Sequence, residues 1–230
     1  MTEPPVAGSL LSYLAAPDLE FFLRRGTRRK LGAGKALMYE GDPTDHVLVL
    51  LSGWVRAYTN ARNGQVVLLA LRGPGDVIGE LAALRDAPRS TTVETLQQTE
   101  FVQFTHDTFI ACLHDRPAIS VAMVRQLAGR LLDSEAARVN AATMDVASRV
   151  AALLVRLADM HGTKTPEGIL VRMPLTQQDI ADSIGGSRRA VARALQTFRE
   201  RKLLVTGRKQ FVLRQPDVLR QLAGTVPNGA

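Results

Sequence analysis

Hydrophobic and polar positions follow three different patterns along this chain. From Thr27 to Phe104 the apolar residues form short β-branched and aliphatic runs, namely Val47 to Leu51, Trp54 to Tyr58 and Val66 to Leu71. Turn residues separate these runs, at Gly41 to Pro43, Ser52 to Gly53 and Asn63 to Gly64. Short strands with turn signals about every eight to twelve residues predict a small antiparallel sandwich or barrel. A short amphipathic helix is expected before it, around Pro17 to Arg25.

The second pattern begins at Pro117 and predicts a long helix to about Asn140, because only Gly129 interrupts its run of good helix formers. Its apolar seam follows alternating steps of three and four residues: Val124, Leu127, Leu131 and Ser134. This spacing is typical of a two-stranded coiled coil and predicts a homodimer. The alternative is packing of the helix onto its own sandwich. Arg138 falls on the same seam and weakens the register toward the C-terminal end.

The third pattern is a series of short elements after a hinge at Asn140 to Asp145. An apolar helix is expected from Val146 to Met160, followed by a loop from His161 to Gly168. Near the end of the chain, two strands at Leu203 to Thr206 and Gln210 to Leu213 flank a basic turn formed by Gly207, Arg208 and Lys209. Two strands around a basic turn predict a wing that contacts a phosphate backbone.

Between the apolar helix and the wing, the segment from Gln177 to Val191 has the spacing of a helix-turn-helix. Thr176 can cap the first helix, with Asp179 as its capping-box partner, and Ala181 stands where two helices approach closely. Gly185 and Gly186 allow the sharp turn. Ser187 can cap the second helix. Val191 places an apolar side chain in the pocket beneath Ile180 and Ala181.

The second helix of this motif opens with Arg188, Arg189 and Arg193. Arginine forks match the O6 and N7 acceptors of guanine and also bind phosphates, so the pattern favours DNA reading over a merely solvated basic face. The charge distribution agrees, since residues 165–214 hold ten Lys and Arg against four Asp and Glu, which gives +6 of the net +7. The partner of this part of the chain is therefore predicted to be a polyanion.

Composition limits the remaining classes of protein. The 230 residues, 46% of them hydrophobic, can bury a sizeable core and are expected to form two domains. The N-terminus lacks the basic region of a signal peptide and no run reaches the length of a membrane span, so we expect a cytoplasmic protein without membrane contact.

The sequence gives little evidence for a metal, haem or iron-sulfur cofactor. Cys112 is the single cysteine, which excludes an intramolecular disulfide and disfavours an iron-sulfur cluster; a half-buried thiol is expected. The four histidines show no metal-ligand spacing, so neither haem nor a metal is expected: His46, His106, His114 and His161. Residues Gly32 to Lys35 fail the P-loop pattern. With no catalytic triad or paired acid and base, we do not expect an enzyme.

A further motif lies between the predicted strands. Residues Gly73 to Glu80 read Gly-Pro-Gly-Asp-Val-Ile-Gly-Glu, an apolar helical turn follows at Leu81 to Leu84, and Pro88 to Thr91 reads Pro-Arg-Ser-Thr. With the helix-turn-helix, this motif resembles the cyclic-AMP receptor protein and fumarate-nitrate regulator (Crp/Fnr) family of bacterial transcription factors. The resemblance covers about Leu10 to Leu222.

The resemblance implies an α+β fold in three parts. These are a β-roll with jelly-roll topology over residues 1–115, a long dimerisation helix and hinge over residues 116–143, and a winged helix-turn-helix over residues 144–230. The implied protein is a homodimeric regulator that binds palindromic double-stranded DNA and contacts RNA polymerase.

The resemblance also implies a phosphate-binding cassette in the roll, with cAMP or a related cyclic nucleotide as its ligand. Amides near Gly79, Leu81 and Ala82 would face the anion at a helix start, Glu80 would accept from the ribose 2′-hydroxyl, and the phosphate would lie against Arg89 and Ser90. In the alternative, Glu80 and Arg89 form an internal ion pair that merely holds the roll together.

Two positions depart from the family pattern. Ser134 and Glu135 stand where the family reads the nucleotide base, and Glu135 replaces a small polar residue, which leaves cyclic AMP, cyclic GMP, cyclic di-GMP or no ligand open. Arg189 replaces the acid that reads a TGTGA-type half-site, so a different half-site or looser specificity is expected. Arg188 and Arg193 would keep guanine and phosphate contacts, while other residues position the DNA backbone: Thr176, Gln178, Ser187 and Lys209.

Two other classes of protein are alternatives to this interpretation. One is a ligand-independent DNA-binding regulator or architectural protein whose roll is only a dimerisation scaffold. The other is a cyclic-nucleotide-binding regulatory subunit of an enzyme, which the helix-turn-helix disfavours.

Overall fold

In a computed structural model that describes residues 3–61, 66–207 and 209–224, the chain divides into two units between Leu132 and Asp133. The expected turn at Asn63 to Gly64 and Arg208 of the basic turn lie outside the described residues. The three-part division at residues 115 and 143 stays a prediction.

The described residues of the N-terminal unit contain these strands: β1 Thr27–Leu31, β2 Ala36–Met38, β3 Val47–Ser52, β4 Val55–Asn60, β5 Val66–Arg72, β6 Val77–Ile78, β7 Thr92–Thr95 and β8 Thr99–Phe104. They form two four-stranded antiparallel sheets, in the strand orders β1-β8-β3-β6 and β2-β7-β4-β5. This architecture confirms the predicted antiparallel β fold.

Helices cover one side of the first sheet. A 3-10 helix spans Leu10–Tyr13, and the α-helices are α1 Ala16–Arg24, α2 Glu80–Arg85, α3 His106–Asp115 and α4 Pro117–Thr143. In β3, Val47, Val49 and Leu51 face the core beneath α1, α3 and α4, whereas Leu48 and Leu50 face the core between the sheets. Both faces of β3 are therefore buried, which explains its continuous apolar run.

Cys112 departs from its expectation. Its side chain is fully buried in the core beneath the helices, not half-buried, and burial raises the pKa of its thiol. The reason is its position on α3, where it lies on the face that contains Phe109.

The long helix α4 has two apolar faces, and this changes the predicted seam. Ile119, Ala122 and Met123 are buried in the core of the N-terminal unit, and Leu127 packs against the same core. Leu127 was therefore assigned to the wrong face. The exposed apolar residues of α4 are Val121, Val124, Leu131, Leu132 and Val139. On this exposed face, the steps of three and four residues pass through the exposed Ala128 and not through Leu127.

The C-terminal unit combines helices with a third four-stranded sheet. Its elements are α5 Val146–His161, β9 Thr163–Thr165, β10 Gly168–Arg172, α6 Gln177–Ile184, α7 Arg188–Glu200, β11 Leu204–Gly207, β12 Gln210–Leu213 and α8 Pro216–Leu222. In the described residues the sheet order is β11-β12-β10-β9, all antiparallel. The predicted wing is confirmed.

The predicted loop from His161 to Gly168 is partly wrong, because β9 and β10 form a hairpin there. The predicted hinge is shorter than expected, since α4 continues to Thr143 and Asp145 caps α5. The Asp145 carboxylate accepts from the Ser148 amide at 2.7 Å, and this bond lowers the pKa of Asp145.

Candidate ligand site and nucleic-acid interface

The guanidinium of Arg89 is the centre of the cassette. Arg89 is only 3% exposed, and its three nitrogens donate to three acceptors. Nε donates to Thr44 Oγ1 at 3.0 Å, Nη1 to the Gly79 carbonyl at 2.9 Å, and Nη2 to the His46 carbonyl at 2.5 Å. Desolvation lowers the pKa of Arg89, while Asp45, Glu80 and Asp42 act in the opposite direction.

Glu80 has a different partner from the one expected. Its Oε1 accepts from Arg130 Nη1 at 2.7 Å, so Glu80 pairs with α4 and not with Arg89, its partner in the alternative interpretation. Arg130 Nη2 also donates to Asp76 Oδ1 at 3.1 Å and to the Val77 carbonyl at 2.8 Å. Gln126 Nε2 donates to the same Asp76 oxygen at 2.7 Å.

Arg130 was missed by sequence reasoning, although a signal was present. Ile119, Ala122, Met123 and Gln126 are the buried residues of α4, and Arg130 continues their steps of three and four residues. Polar residues that continue an apolar face need buried partners, and Arg130 finds two carboxylates on the roll. This network therefore joins α4 to the cassette within the N-terminal unit.

Gly79 allows the cassette to close around Arg89. Its φ is +82°, in the left-handed region that favours glycine. A Cβ at this position would lie 2.5 Å from Arg89 Nη1 and 2.6 Å from the Met38 methyl carbon. The bond from Arg89 to the Gly79 carbonyl thus requires a residue without a side chain.

The other predicted ligand residues differ in their exposure to solvent. Leu81 and Ser90 are exposed, whereas Ala82 is buried. Ser134 and Glu135 are exposed residues of α4, and they belong to the C-terminal unit. The structure thus brings Gly79, Glu80 and Arg89 together in one cassette. The roles of all these residues stay predictions.

The helix-turn-helix is formed as its caps predict. Thr176 and Asp179 make a reciprocal capping box at the start of α6, and Ser187 Oγ accepts from the Ala190 amide at 3.2 Å. Gly185 ends α6 with φ +62°, and the Gly186 amide donates to the Ala181 carbonyl at 2.9 Å. These contacts define the turn between α6 and α7.

The two faces of α7 are sharply different. Its buried residues are Val191, Ala194, Leu195 and Phe198. The exposed face holds Arg188, Arg189 and Arg193, and the neighbouring predicted contacts are exposed as well: Thr176, Gln178, Ser187 and Lys209. Lys209 has a φ of +58° in the turn between β11 and β12. The arrangement presents arginine forks to a polyanion.

Arg149 supports this motif and was not predicted as a functional residue. It lies on α5, and its Nη1 donates to the Ile184 carbonyl at 2.8 Å, in the last turn of α6. A cation is favourable at a helix C-terminus because it compensates the free carbonyls there. Arg149 therefore helps to fix the end of α6 immediately before the turn.

The part of the chain that the structure describes holds neither a metal-binding cluster nor a membrane-spanning helix. Across 3–61, 66–207 and 209–224, no group of three or more His, Cys, Asp or Glu side chains is arranged to hold a metal ion. Over the same ranges, every helix is too short or too polar to span a bilayer.

Comparison with known proteins places both units. Residues 28–116 match the cyclic nucleotide-binding domain, and residues 148–222 match the Crp-like helix-turn-helix domain. The chain is 34% identical over 168 residues to a CRP-like cAMP-activated global transcriptional regulator of Mycobacterium tuberculosis, which covers 73% of this chain and 75% of the relative. It is 25% identical over 210 residues to the cyclic AMP receptor protein of Thermus thermophilus, covering 91% and 94%.

A solved structure agrees with these relatives. The c-di-GMP responsive global regulator CLP of Xanthomonas campestris superposes with a TM-score of 0.72 at 25% identity, covering 86% of this chain and 99% of that one. Members of this group are transcription regulators and not enzymes. The matches to both domains and to the mycobacterial relative confirm the resemblance, and the chain belongs to the Crp/Fnr family of DNA-binding transcription regulators.

Proposed function

We propose that this protein is a homodimeric transcription regulator that binds a palindromic DNA site and is gated by a cyclic nucleotide in its roll, with cAMP as the first ligand to test. The observation that carries DNA binding is the division of α7 into a buried apolar face and an exposed face with Arg188, Arg189 and Arg193. A helix of this kind fits the major groove.

DNA binding can be tested with a selected duplex and fluorescence anisotropy at several salt concentrations. Each lost phosphate contact should reduce the slope of log K against log salt by about 0.9. We expect Arg193→Ala to weaken binding and to lower this slope, because Arg193 is proposed to contact phosphate. Exposed Arg24 of α1 supplies the matched control Arg24→Ala, because it lies in the N-terminal unit. Equal loss in both variants would contradict the assignment.

Gating by a nucleotide is supported by the hydrogen-bonding capacity that remains in the cassette. Arginine has five N–H donors, and three of those on Arg89 reach acceptors among the described residues, which leaves two for a phosphate. Glu80 uses Oε1 for Arg130, so its second oxygen can accept from a ribose hydroxyl. The residues therefore fit a cyclic nucleotide, and relatives responsive to cAMP and to c-di-GMP make both worth testing.

Calorimetric titration with cyclic AMP, cyclic GMP and cyclic di-GMP tests the ligand. Because Arg89 is buried, Arg89→Ala would remove three hydrogen bonds and leave a cavity, so Arg89→Lys is the better variant. We expect micromolar binding of one nucleotide, lost in Arg89→Lys while the fold is retained. Repeating the titration with operator DNA tests the linkage, since the two ligands must change each other's affinity by the same factor.

The second candidate is a ligand-independent regulator, and one observation favours it. Arg89 and Glu80 already have partners within the protein, and Glu135 adds a carboxylate on the segment expected to meet the base. In this case none of the three nucleotides would bind, and Arg89→Lys would leave DNA affinity unchanged.

The homodimer is supported by the exposed apolar residues of α4, which a second copy of this helix would cover. Two recognition helices about 34 Å apart would then face successive major grooves of a palindrome. We also propose that the protein contacts RNA polymerase and that it is located in the cytoplasm, where DNA is accessible.

A further inference from the structure

The loop from Gly41 to His46 holds Arg89 at both its backbone and its side chain. The Gly41 amide donates to the Arg89 carbonyl at 2.8 Å, and the Arg89 amide donates to the Asp42 carbonyl at 2.9 Å. The same loop supplies two acceptors for the guanidinium, Thr44 Oγ1 and the His46 carbonyl. Arg89 is therefore tied to a segment more than forty positions earlier in the chain.

Thr44 differs from the other two acceptors of the guanidinium. The bonds to the Gly79 and His46 carbonyls fix the line that joins Nη1 and Nη2. The bond from Nε to the Thr44 hydroxyl adds a third point, and three points fix the plane of the group about that line. Thr44 supplies the only side-chain acceptor among these three bonds, so a substitution can remove it.

The charges around Arg89 make this orientation important. Asp42 and Asp45 lie on the same loop, and they act electrostatically on Arg89 together with Glu80. The Glu80 carboxylate is paired with Arg130, but an anion that approaches Arg89 still meets the carboxylates of Asp42 and Asp45, which weaken its long-range attraction. Affinity for an anion must then depend on well-directed hydrogen bonds from the guanidinium.

We propose that Thr44 is a positioning residue for Arg89, and that its hydroxyl fixes the guanidinium plane so that the two remaining N–H groups can meet the phosphate of a bound nucleotide. The consequence for binding rests on the proposed gating, whereas the effect on Arg89 itself does not. Thr44 is exposed, so Thr44→Val removes the acceptor without opening a buried cavity.

The first experiment needs no ligand. In full-length protein labelled with ¹⁵N-arginine, the Arg89 Nε–H resonance is identified by its loss in Arg89→Lys. We expect exchange of this proton with water to be several-fold faster in Thr44→Val and to return toward the wild-type rate in Thr44→Ser, which restores a hydroxyl acceptor. Thr59→Val is the matched control, because the Thr59 hydroxyl bonds Glu40 at 2.7 Å in the same unit. Unchanged exchange in Thr44→Val would overturn the proposal.

The second experiment measures binding of cyclic AMP and of the two diastereomers of its phosphorothioate, which carry sulfur at one or the other exocyclic phosphate oxygen. We expect Thr44→Val to weaken cyclic AMP binding roughly tenfold and to change the affinity ratio of the diastereomers. A purely structural defect would weaken both equally and leave the ratio unchanged, which would refute the positioning role. If the wild type binds no cyclic nucleotide, the gating proposal fails, and the exchange experiment alone decides the role of Thr44.

Discussion

Arg130 shows how one side chain can hold two parts of the N-terminal unit together. Its guanidinium reaches Glu80 on α2, Asp76 before β6 and the Val77 carbonyl. The side chains of Arg130, Asp76 and Glu80 are 17%, 13% and 5% exposed. Removing the cation from such a site leaves two largely buried carboxylates without a counter-charge, although Asp76 keeps its hydrogen bond from Gln126, and this costs more than the ion pair itself contributes.

We therefore expect Arg130→Met to destabilise the N-terminal unit by about 3 kcal/mol, the lower end of the range for a broken buried pair, because Arg130 keeps some exposure. Urea unfolding followed by fluorescence of Trp54, the single tryptophan, measures this unit. Arg125→Met is the control, since Arg125 is exposed and its guanidinium lies 5.9 Å from the centroid of the Tyr13 ring. A loss below about 1 kcal/mol would mean that the network contributes little.

His106 predicts a pH dependence. Its Nδ1 lies 3.1 Å from Asp107 Oδ1 and its Nε2 3.2 Å from the Ala83 carbonyl of α2, and these bonds raise the pKa of His106 above 6.5. A raised pKa in the folded state stabilises the protein below pH 6.5, and this stabilisation is lost as the pH rises through the folded-state pKa.

The measurement is the difference in urea midpoint between wild type and His106→Gln at pH 5.5 and pH 8.5. We expect the wild-type advantage to be larger at the acidic pH. Comparing variants cancels the opposite contribution of His46, whose pKa is lowered by desolvation and by Arg89. A difference that does not change with pH would contradict the His106 assignment.

The recognition helix α7 gives a prediction about specificity. Arg189 is exposed in its first turn and cannot accept a hydrogen bond from a cytosine amino group. We expect Arg189→Glu to restore that acceptor and to shift preference toward TGTGA-type half-sites by about tenfold or more.

Selection from a randomised duplex library, followed by sequencing, compares the wild type with Arg189→Glu. Arg189→Gln controls for the lost positive charge without adding a carboxylate. If Arg189→Glu selects the same half-site as the wild type, Arg189 does not read a base, and the prediction is wrong.

Local signals explain which elements could be predicted. The capping box at Thr176, the left-handed Gly185 and the cap at Ser187 act within a few residues, so the helix-turn-helix is visible in the sequence. The strand β9 was missed because Thr163–Thr165 is short and polar, and its pairing with β10 decides its conformation. Leu127 was misplaced because α4 carries apolar residues on two faces, and the sequence does not say which face meets its own core.

The candidate site was only partly predictable for a similar reason. Glu80 and Arg89 were recognised by their motif, but the partners that fix them come from distant segments, Arg130 of α4 and Thr44 of the loop before β3. These contacts join residues that are 45 and 50 positions apart in the chain, so they depend on the tertiary fold and cannot be predicted from the periodicity of the sequence. The departures at Glu135 and Arg189 were visible, because they are single positions within a known motif.

The assembled protein is predicted to depend on the exposed seam of α4. Val124 and Leu132 are each 66% exposed, on the side of α4 away from its own core. We expect the double variant Val124→Glu and Leu132→Glu to sediment as a monomer, because carboxylates at a helix seam would have to be buried without partners.

Sedimentation velocity and binding to a palindromic duplex measure this effect. Tyr39→Glu is the control, since Tyr39 is 61% exposed on the roll and undergoes the same change from apolar to acidic. We expect the control to remain dimeric. A dimeric double variant would place the interface elsewhere on the molecule.

The crowded surroundings of Gly79 also limit how this regulator can evolve. If codon 79 is fully randomised and functional clones are selected by a reporter gene, only glycine should be recovered, because the space for any larger residue is filled by Arg89 and Met38. Codon 81, two positions later, should accept many amino acids, since the Leu81 side chain is 45% exposed. New ligand preferences would then arise by substitution at exposed positions of the cassette such as Leu81, while Gly79 stays unchanged.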